Sequence, residues 1–319
     1  MARFAHGPMH GWMINTYGSP EDLTLLPIQL APPTGAALLI KVEAAALNPL
    51  DIKLMTGVLS SFMPTNFPFV PGSDVCGRVV GAGPDADFSQ GERVVAMTSA
   101  HGAMATHVLC DESACVVPAP EQLSARSLAS LPEAGMTAMA VLRAAGSVAG
   151  RTVAIVGATG GVGLIACQLA ASLGATVLAT VSRAEDEALV RGCGASHVLD
   201  YSRLDAIDAL KTAWPDGVDV LVDLVHQSEE LVRCAGAVRS GGKMVCTLPG
   251  PDPAAFVGVQ VSYVRLAPHA RDLAMLVHDL EEKRITAQVT RSFPFLRVRQ
   301  AYAALAAGGV RGKLVVDMP

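Results

Sequence analysis

The sequence predicts an α/β chain of two domains, one built on a doubly wound parallel sheet and the other on a small barrel-like set of strands. Three observations predict it. Residues 125–257 alternate apolar strands with helical segments, the rhythm of a parallel sheet covered on both faces. A glycine-rich run, Gly157 to Gly163, joins one of those strands to the next helix. Residues before 124 carry short β-like runs broken by Gly and Pro. At 319 residues the chain is also too long for one ordinary core.

In the first zone, Leu38 to Ala44 (LLIKVEA), Gly77 to Gly81 (GRVVG) and Glu92 to Met97 (ERVVAM) read as strands. In the second, Thr152 to Gly157 (TVAIVG) is a buried strand. The helix Val162 to Leu173 follows, with Ile165, Leu169 and Leu173 on one face and Gly174 as its stop. Ala175 to Val181 is the next strand, Glu185 to Arg191 a helix, and His197 to Leu199 a short strand. Val218 to Val225 (VDVLVDLV) and Lys243 to Leu248 (KMVCTL) complete the set. In the third zone, from 258, Leu273, Leu276, Val277 and Leu280 recur at helical spacing. A second helix is predicted over Val298 to Ala307 and a closing strand over Lys313 to Val316. Val257 to Leu266 (VGVQVSYVRL) reads as an edge strand able to pair across a homodimer.

Composition narrows the function classes. Hydrophobic residues are 51% and charged residues 17%, which suits a globular chain with a large interior, and only 4% is aromatic, so small aliphatics fill it. The net charge of −5 and the lack of any basic tract exclude a nucleic-acid partner. No apolar run reaches the roughly 18 residues of a membrane span. Met1 to His10 lacks the apolar core of a signal peptide, so a cytoplasmic location is expected. The seven cysteines form no C-x-x-C pair and are read as small buried thiols.

The loop reads Val156-Gly157-Ala158-Thr159-Gly160-Gly161-Val162-Gly163. It follows a strand and opens a helix, where a backbone without side chains can approach a pyrophosphate and free N–H groups meet it. Against G-x-G-x-x-G, Ala158 takes the first position and Gly160 and Gly163 the others. This is a Rossmann dinucleotide site; the alternative is a packing turn. NAD-binding sheets place a carboxylate after the second strand to hold the ribose 2′-hydroxyl. Here that strand ends Val181-Ser182-Arg183, and no carboxylate comes before Glu185. Ser182 can donate to a 2′-phosphate and Arg183 can pair with it, which predicts NADPH. The ordinary alternative for Arg183 is a solvated loop residue.

With these features in hand, the chain resembles the medium-chain dehydrogenase/reductase superfamily, in its zinc-free quinone oxidoreductase and enone reductase branch. Asn48-Pro49-Leu50-Asp51-Ile52-Lys53 resembles N-P-x-D-x-K, and Val70 to Gly83 (VPGSDVCGRVVGAG) resembles P-G-x-D-x-x-G-x-V-x-x-x-G. Gly91-Glu92-Arg93-Val94, Met136-Thr137-Ala138 and Gly312-Lys313-Leu314-Val315 match further segments. The resemblance implies a partly open, GroES-like β-barrel from 1–124 and 258–319, with the Rossmann NADP-binding domain, 125–257, inserted. It also implies a substrate cleft over the nicotinamide. By position it carries cofactor contacts to Thr137, to Thr159, Gly160, Gly161 and Val162 at the pyrophosphate, to Tyr201 near the 2′-phosphate, and to Lys313. Tyr201 could equally be an ordinary surface aromatic.

Zinc-dependent members need a Cys or Asp, a His and a further ligand around one open position. The expected G-H-E segment reads Gly72-Ser73-Asp74, and the histidines, including His101, His107 and His226, are scattered. No metal is therefore expected. Without a Lewis acid on a carbonyl oxygen, hydride addition to a conjugated acceptor is easier to support, given a donor for the charge developing on oxygen. Lys53 and Asn48 are the candidate catalytic donors, with Asn48 also a candidate cofactor contact; the alternatives are a solvated helix residue and a plain turn. The expected function is zinc-independent NADPH-dependent reduction of a quinone or α,β-unsaturated carbonyl. An enoyl-thioester reductase and a non-catalytic NADPH-binding protein are the alternatives.

Overall fold

A computed structural model describes residues 8–99, 101–111, 114–202 and 205–319. The opening segment read for a signal peptide lies outside them up to residue 7. The chain forms two units: Met1–Glu133 with Pro268–Glu281 and Ala287–Pro319, and Ala134–Ala267 with Glu282–Thr286.

The first unit begins with β1 (His10–Met13) and β2 (Thr24–Pro27), an antiparallel ribbon. β3 (Leu38–Ala46) is followed by helix α1 (Pro49–Thr56), then β4 (Asp74–Ala82), β5 (Arg93–Met97), β6 (His107–Cys110), β7 (Cys115–Pro118) and the short helix α2 (Ala125–Ala129). In β3, Ile40 and Val42 point inward and Lys41 outward, the period of two that a half-buried strand requires.

Helix α3 (Pro132–Ala145) leads into the second unit: β8 (Thr152–Val156), α4 (Gly161–Ser172), β9 (Thr176–Val181), α5 (Glu187–Gly192), β10 (His197–Asp200), α6 (Ala206–Ala213), β11 (Val218–Asp223), α7 (Glu230–Ala235), β12 (Val238–Cys246) and β13 (Gln260–Tyr263). These strands make a six-stranded parallel sheet ordered β10-β9-β8-β11-β12-β13. The order runs outward from β8 and then reverses to β11, so right-handed crossovers send α4 and α5 to one face and α6 and α7 to the other. Consistently, Ile207 and Leu210 of α6 and Leu231 and Cys234 of α7 share a core with Ala154, Val156 and Leu221. The reversal places a crevice at the carboxyl ends of β8 and β11.

The chain then returns to the first unit with α8 (Ala270–Glu281), β14 (Val289–Pro294), α9 (Val298–Ala306) and β15 (Lys313–Asp317). The sheet there is ordered β14-β15-β3-β4-β5-β7, with β6 also on β3. Its ends, β14 and β7, do not pair among the described residues, so the sheet stays open as expected of a partly open barrel.

Three expectations are corrected. The boundaries read at 124 and 257 move to 133 and 267. At the first, Arg126 of α2 holds Asp317 of β15 through Nε at 2.6 Å and Nη2 at 2.9 Å. At the second, β13 pairs in register with β12, so it is a strand of the second unit's sheet. In α4 the buried residues are Leu164, Ile165, Ala166, Cys167 and Ala170, whereas Leu173 is 54% exposed. Leu173 follows the last helical turn as its cap, so its side chain does not continue the buried face.

Candidate functional site

In the second unit, the loop after β8 turns at Gly157, whose φ of +82° lies in the left-handed region that glycine occupies without strain. The tight turn therefore falls one residue before Ala158, and alanine at the first motif position costs nothing. Gly163 permits close packing: a Cβ there would stand 2.3 Å from the Gly157 carbonyl oxygen and 2.7 Å from Ala158 Cα. Gly160 caps α4, and Thr159, Gly160, Gly161 and Val162 are half-buried at the helix N-terminus. The first N–H groups of a helix have no intrahelical acceptor and carry the positive end of its dipole, which makes an anion cradle. The loop thus fits a dinucleotide diphosphate.

At the end of the neighbouring β9, Ser182 and Arg183 are exposed. Arg183 Nη1 lies 4.0 Å from Glu185 Oε1, both side chains more than half exposed, a loose pair that leaves the guanidinium available. Asp186 is turned inward and buried. Tyr201 follows β10, half-buried, its N–H bonded to Val181 O at 2.9 Å. Thr137 is half-buried on α3.

The first unit holds a buried polar cluster. Asn48 caps α1 and its N–H donates to Asp51 Oδ2 at 2.9 Å, one half of a capping box. Its side-chain Nδ2 donates to Asp74 Oδ2 at 2.9 Å. Lys313 Nζ donates to Asn48 Oδ1 and lies 3.5 Å from Asp74 Oδ2. The Tyr302 hydroxyl donates to Asp51 Oδ2 at 3.0 Å, and the Glu133 N–H donates to Asp74 Oδ1 at 3.2 Å. Asp51 and Asp74 are fully buried, and Lys313 is 7% exposed. Desolvation pushes Asp51 up to about 7 and raises Asp74. It lifts Glu133 to about 8, helped by the Asp74 charge and opposed by Lys313. Three acids share one buried ammonium, so the cluster retains protons at neutral pH. Asp51 Oδ1, Ser73 Oγ and Glu133 Oε2 are buried without a partner among the described residues. Lys53 lies on α1, half-buried, and its charge acts on Glu133.

Of Asn48, Lys53 and Lys313, all expected from the sequence, Asn48 and Lys313 are joined directly. Asp51, Asp74, Glu133 and Tyr302 were not foreseen as their partners. The Asn48-x-x-Asp51 spacing was a readable capping signal; Tyr302 left none, because its contact with Asp51 spans 251 positions.

Metal-ligating chemistry fits neither unit well. Around Asp74 a divalent ion would have to displace Lys313, which already supplies the counter-charge. In the second unit, Asp223, His226 and Cys234 bring ligand atoms within 4.8 Å of one another. The Asp223 carboxylate, however, accepts from Val225 N at 3.0 Å, His226 N at 2.8 Å and His226 Nδ1 at 2.8 Å. The Cys234 thiol also donates to it, and burial pushes that thiol up, so a proton already fills the ligand role. His101 packs edge-on to Phe69 and His107 contacts Thr106 Oγ1 at 3.0 Å, apart from any ligand set among the described residues. All seven cysteines are free and buried, as expected.

Comparisons with known proteins agree with this geometry. Residues 35–146 match the family described as Alcohol dehydrogenase GroES-like domain, and residues 193–316 the family described as Zinc-binding dehydrogenase. The chain is 30% identical to the chloroplastic quinone-oxidoreductase homolog of Spinacia oleracea, over 97% of this chain and 98% of that one. It is 30% identical to the chloroplastic NADPH-dependent alkenal/one oxidoreductase of Arabidopsis thaliana, over 97% and 79% of the two chains. A mycobacterial protein solved in complex with NADPH superposes with a TM-score of 0.84 at 29% identity, covering 97% and 99%. Fold and site thus define a two-unit dinucleotide oxidoreductase with a GroES-like first unit. The chain belongs to the medium-chain dehydrogenase/reductase superfamily, in its quinone oxidoreductase branch.

Proposed function

We propose that the chain is a zinc-independent, NADPH-dependent reductase of quinones or α,β-unsaturated carbonyls. One observation carries the cofactor choice: the dinucleotide cradle is followed, at the end of β9, by exposed Ser182 and Arg183 and no carboxylate there. Relatives named for quinone and alkenal/one reduction support the acceptor class. Thr159, Gly160, Gly161 and Val162 would hold the diphosphate, and Ser182, Arg183 and Tyr201 the 2′-phosphate. Thr137 would serve the nicotinamide end, and Asn48 and Lys313, bonded to each other, would be further cofactor contacts. When bound, NADPH supplies the hydride. Lys53 would stabilise the negative charge that develops on the acceptor oxygen, a role that needs a cation but no metal. The reading includes a cytoplasmic location and a homodimer through the outer edge of β13, which has no partner strand among the described residues. No helix among the described residues is long and apolar enough to cross a membrane.

Arg183→Ala is expected to weaken NADPH binding about tenfold and to leave NADH binding unchanged, since a charge-assisted contact is worth about 1.5–3 kcal/mol before solvent screening. Equal loss for both nucleotides, or none, removes Arg183 from the 2′-phosphate. Lys53→Ala is expected to lower kcat about 10- to 100-fold with NADPH affinity kept, the scale of losing one transition-state donor. Wild-type turnover would remove Lys53 from catalysis. The function itself is tested by following NADPH oxidation with a quinone, an enone and an enoyl thioester in parallel. Turnover with the thioester alone would favour that alternative, and tight NADPH binding with no oxidation would favour a binding protein.

A further inference from the structure

The carboxyl end of β11 carries a second charged device beside the dinucleotide loop. Asp223 aligns with Val156, the last residue of β8. Leu224 N donates to Val156 O at 3.2 Å, and a Cβ placed on Gly157 would stand 2.7 Å from Val225 Cγ2. The segment 224–226 therefore packs directly against the glycine loop. Asp223, 0% exposed, fixes it by accepting both backbone N–H groups of Val225 and His226. His226 Nδ1 is held on Asp223 Oδ2 at 2.8 Å, and its side chain keeps 16% exposure. Nε2 has no partner among the described residues and is not among the buried unpaired atoms.

We propose that His226, oriented by Asp223, is a cofactor-binding residue that sets a positive charge against the diphosphate of the bound dinucleotide. The inference rests on the cofactor reading above and extends it to a residue on the other side of the loop. The order β9-β8-β11 puts Ser182 and Arg183 on one flank of the glycine loop and His226 on the other. Arg183 is thereby placed for the adenosine 2′-phosphate, and His226 for a group that NADPH and NADH share. The Asp223 carboxylate on Nδ1 favours the charged form of the ring. The hydrogen bond to Asp223 raises the His226 pKa, burial opposes it, and the charges of Asp223, Glu230 and Asp205 add to the rise. Asp223 itself stays anionic: burial would raise it, but the bonds from His226, Val225 and the backbone outweigh that and hold it low. The Cys234 thiol, which also faces Asp223, stays protonated and adds no charge. A histidine with a raised pKa is cationic below that value and neutral above it, so its contribution to binding is lost as pH rises through it.

The test is the Kd of NADPH and of NADH, by fluorescence titration at pH 6.5 and 9, for the wild type, His226→Gln and His226→Lys. NADH controls for titration of the 2′-phosphate, which it lacks. The wild type is expected to bind both nucleotides about five- to tenfold more weakly at pH 9, the scale of a charge-assisted contact after screening. His226→Gln should bind both weakly at either pH, and His226→Lys should bind tightly with no step between them. Wild-type affinity in His226→Gln at pH 6.5 overturns the proposal. So does a loss confined to NADPH, or failure of lysine to restore binding. If the wild type binds neither nucleotide, the cofactor reading falls and takes this one with it; if it binds both and only the His226 effects are missing, this proposal alone falls.

Discussion

Lys313→Met is expected to destabilise the first unit by about 3–5 kcal/mol at pH 8, the cost of stripping a buried ion pair of one partner. Methionine keeps most of the side-chain volume, so the loss reports charge rather than a cavity. Without the ammonium, Asp74 retains the amide of Asn48 and the N–H of Glu133 but no counter-charge in its 0% exposed position. The pH dependence follows from the directions of the shifts. Burial holds Asp51 at about 7 and Glu133 at about 8, above their ordinary values of 3.8 and 4.5. The folded state therefore keeps protons that the unfolded chain releases. Stability contributed by these protonated acids is present at acid pH and is lost as pH rises from about 4 through 8. Removing Lys313 raises these values further, so the variant's deficit should be small near pH 5 and should grow toward pH 8. Thermal unfolding across that range checks it. A deficit that does not change with pH would make Lys313 a packing residue only.

The second large effect is expected at Gly163→Ala. The added Cβ meets backbone atoms on every near side, at 2.3 Å from Gly157 O and 2.7 Å from Ala158 Cα and O. None of these can rotate away as a side chain would. Either the start of α4 withdraws or the loop opens, and overpacking of this kind costs about 1–3 kcal/mol of stability. Displacing the loop also misaligns the N–H groups aimed at the diphosphate. Losing two charge-assisted bonds at about 1.5 kcal/mol each weakens NADPH about 100-fold. Gly160→Ala is the control: its Cβ would lie 3.4 Å from Gly157 O, an ordinary contact. That variant should keep its melting temperature, so a loss of affinity there would report a methyl group in the ligand's own space. Normal NADPH affinity in Gly163→Ala would contradict the assignment of this loop.

What could be read from the sequence was local. The glycine loop, the strand before it and the missing carboxylate after β9 lie within 30 or so consecutive positions, and each has a backbone reason for its residue types. The helix of Leu273, Leu276 and Val277 followed from its period, and the three are buried. The polar cluster could not be read the same way, because it joins residues far apart in the chain: Asn48 and Lys313 are separated by 265 positions, and Asp74 meets Glu133 across 59. A lone aspartate at the head of an apolar strand, such as Asp74, does not announce its partner. Asp223 is a similar case: a carboxylate closing the apolar run VDVLVD was visible, but its tie to His226 and Cys234 needed the fold. A strand's own residues do not say which sheet it joins, which is why β13 was expected in the wrong domain although its edge-strand character was correct.

Hydride transfer from NADPH to a conjugated acceptor without a metal can be followed atom by atom. The most direct measurement uses NADPH carrying deuterium at the transferring C4 position, a simple enone, and chelator-treated enzyme in ordinary water. One deuterium is expected on the β-carbon of the product and none on the α-carbon, with a rate unchanged by the chelator. A product labelled at the carbonyl carbon as an alcohol, or turnover that stops on chelation and returns with zinc, would contradict it.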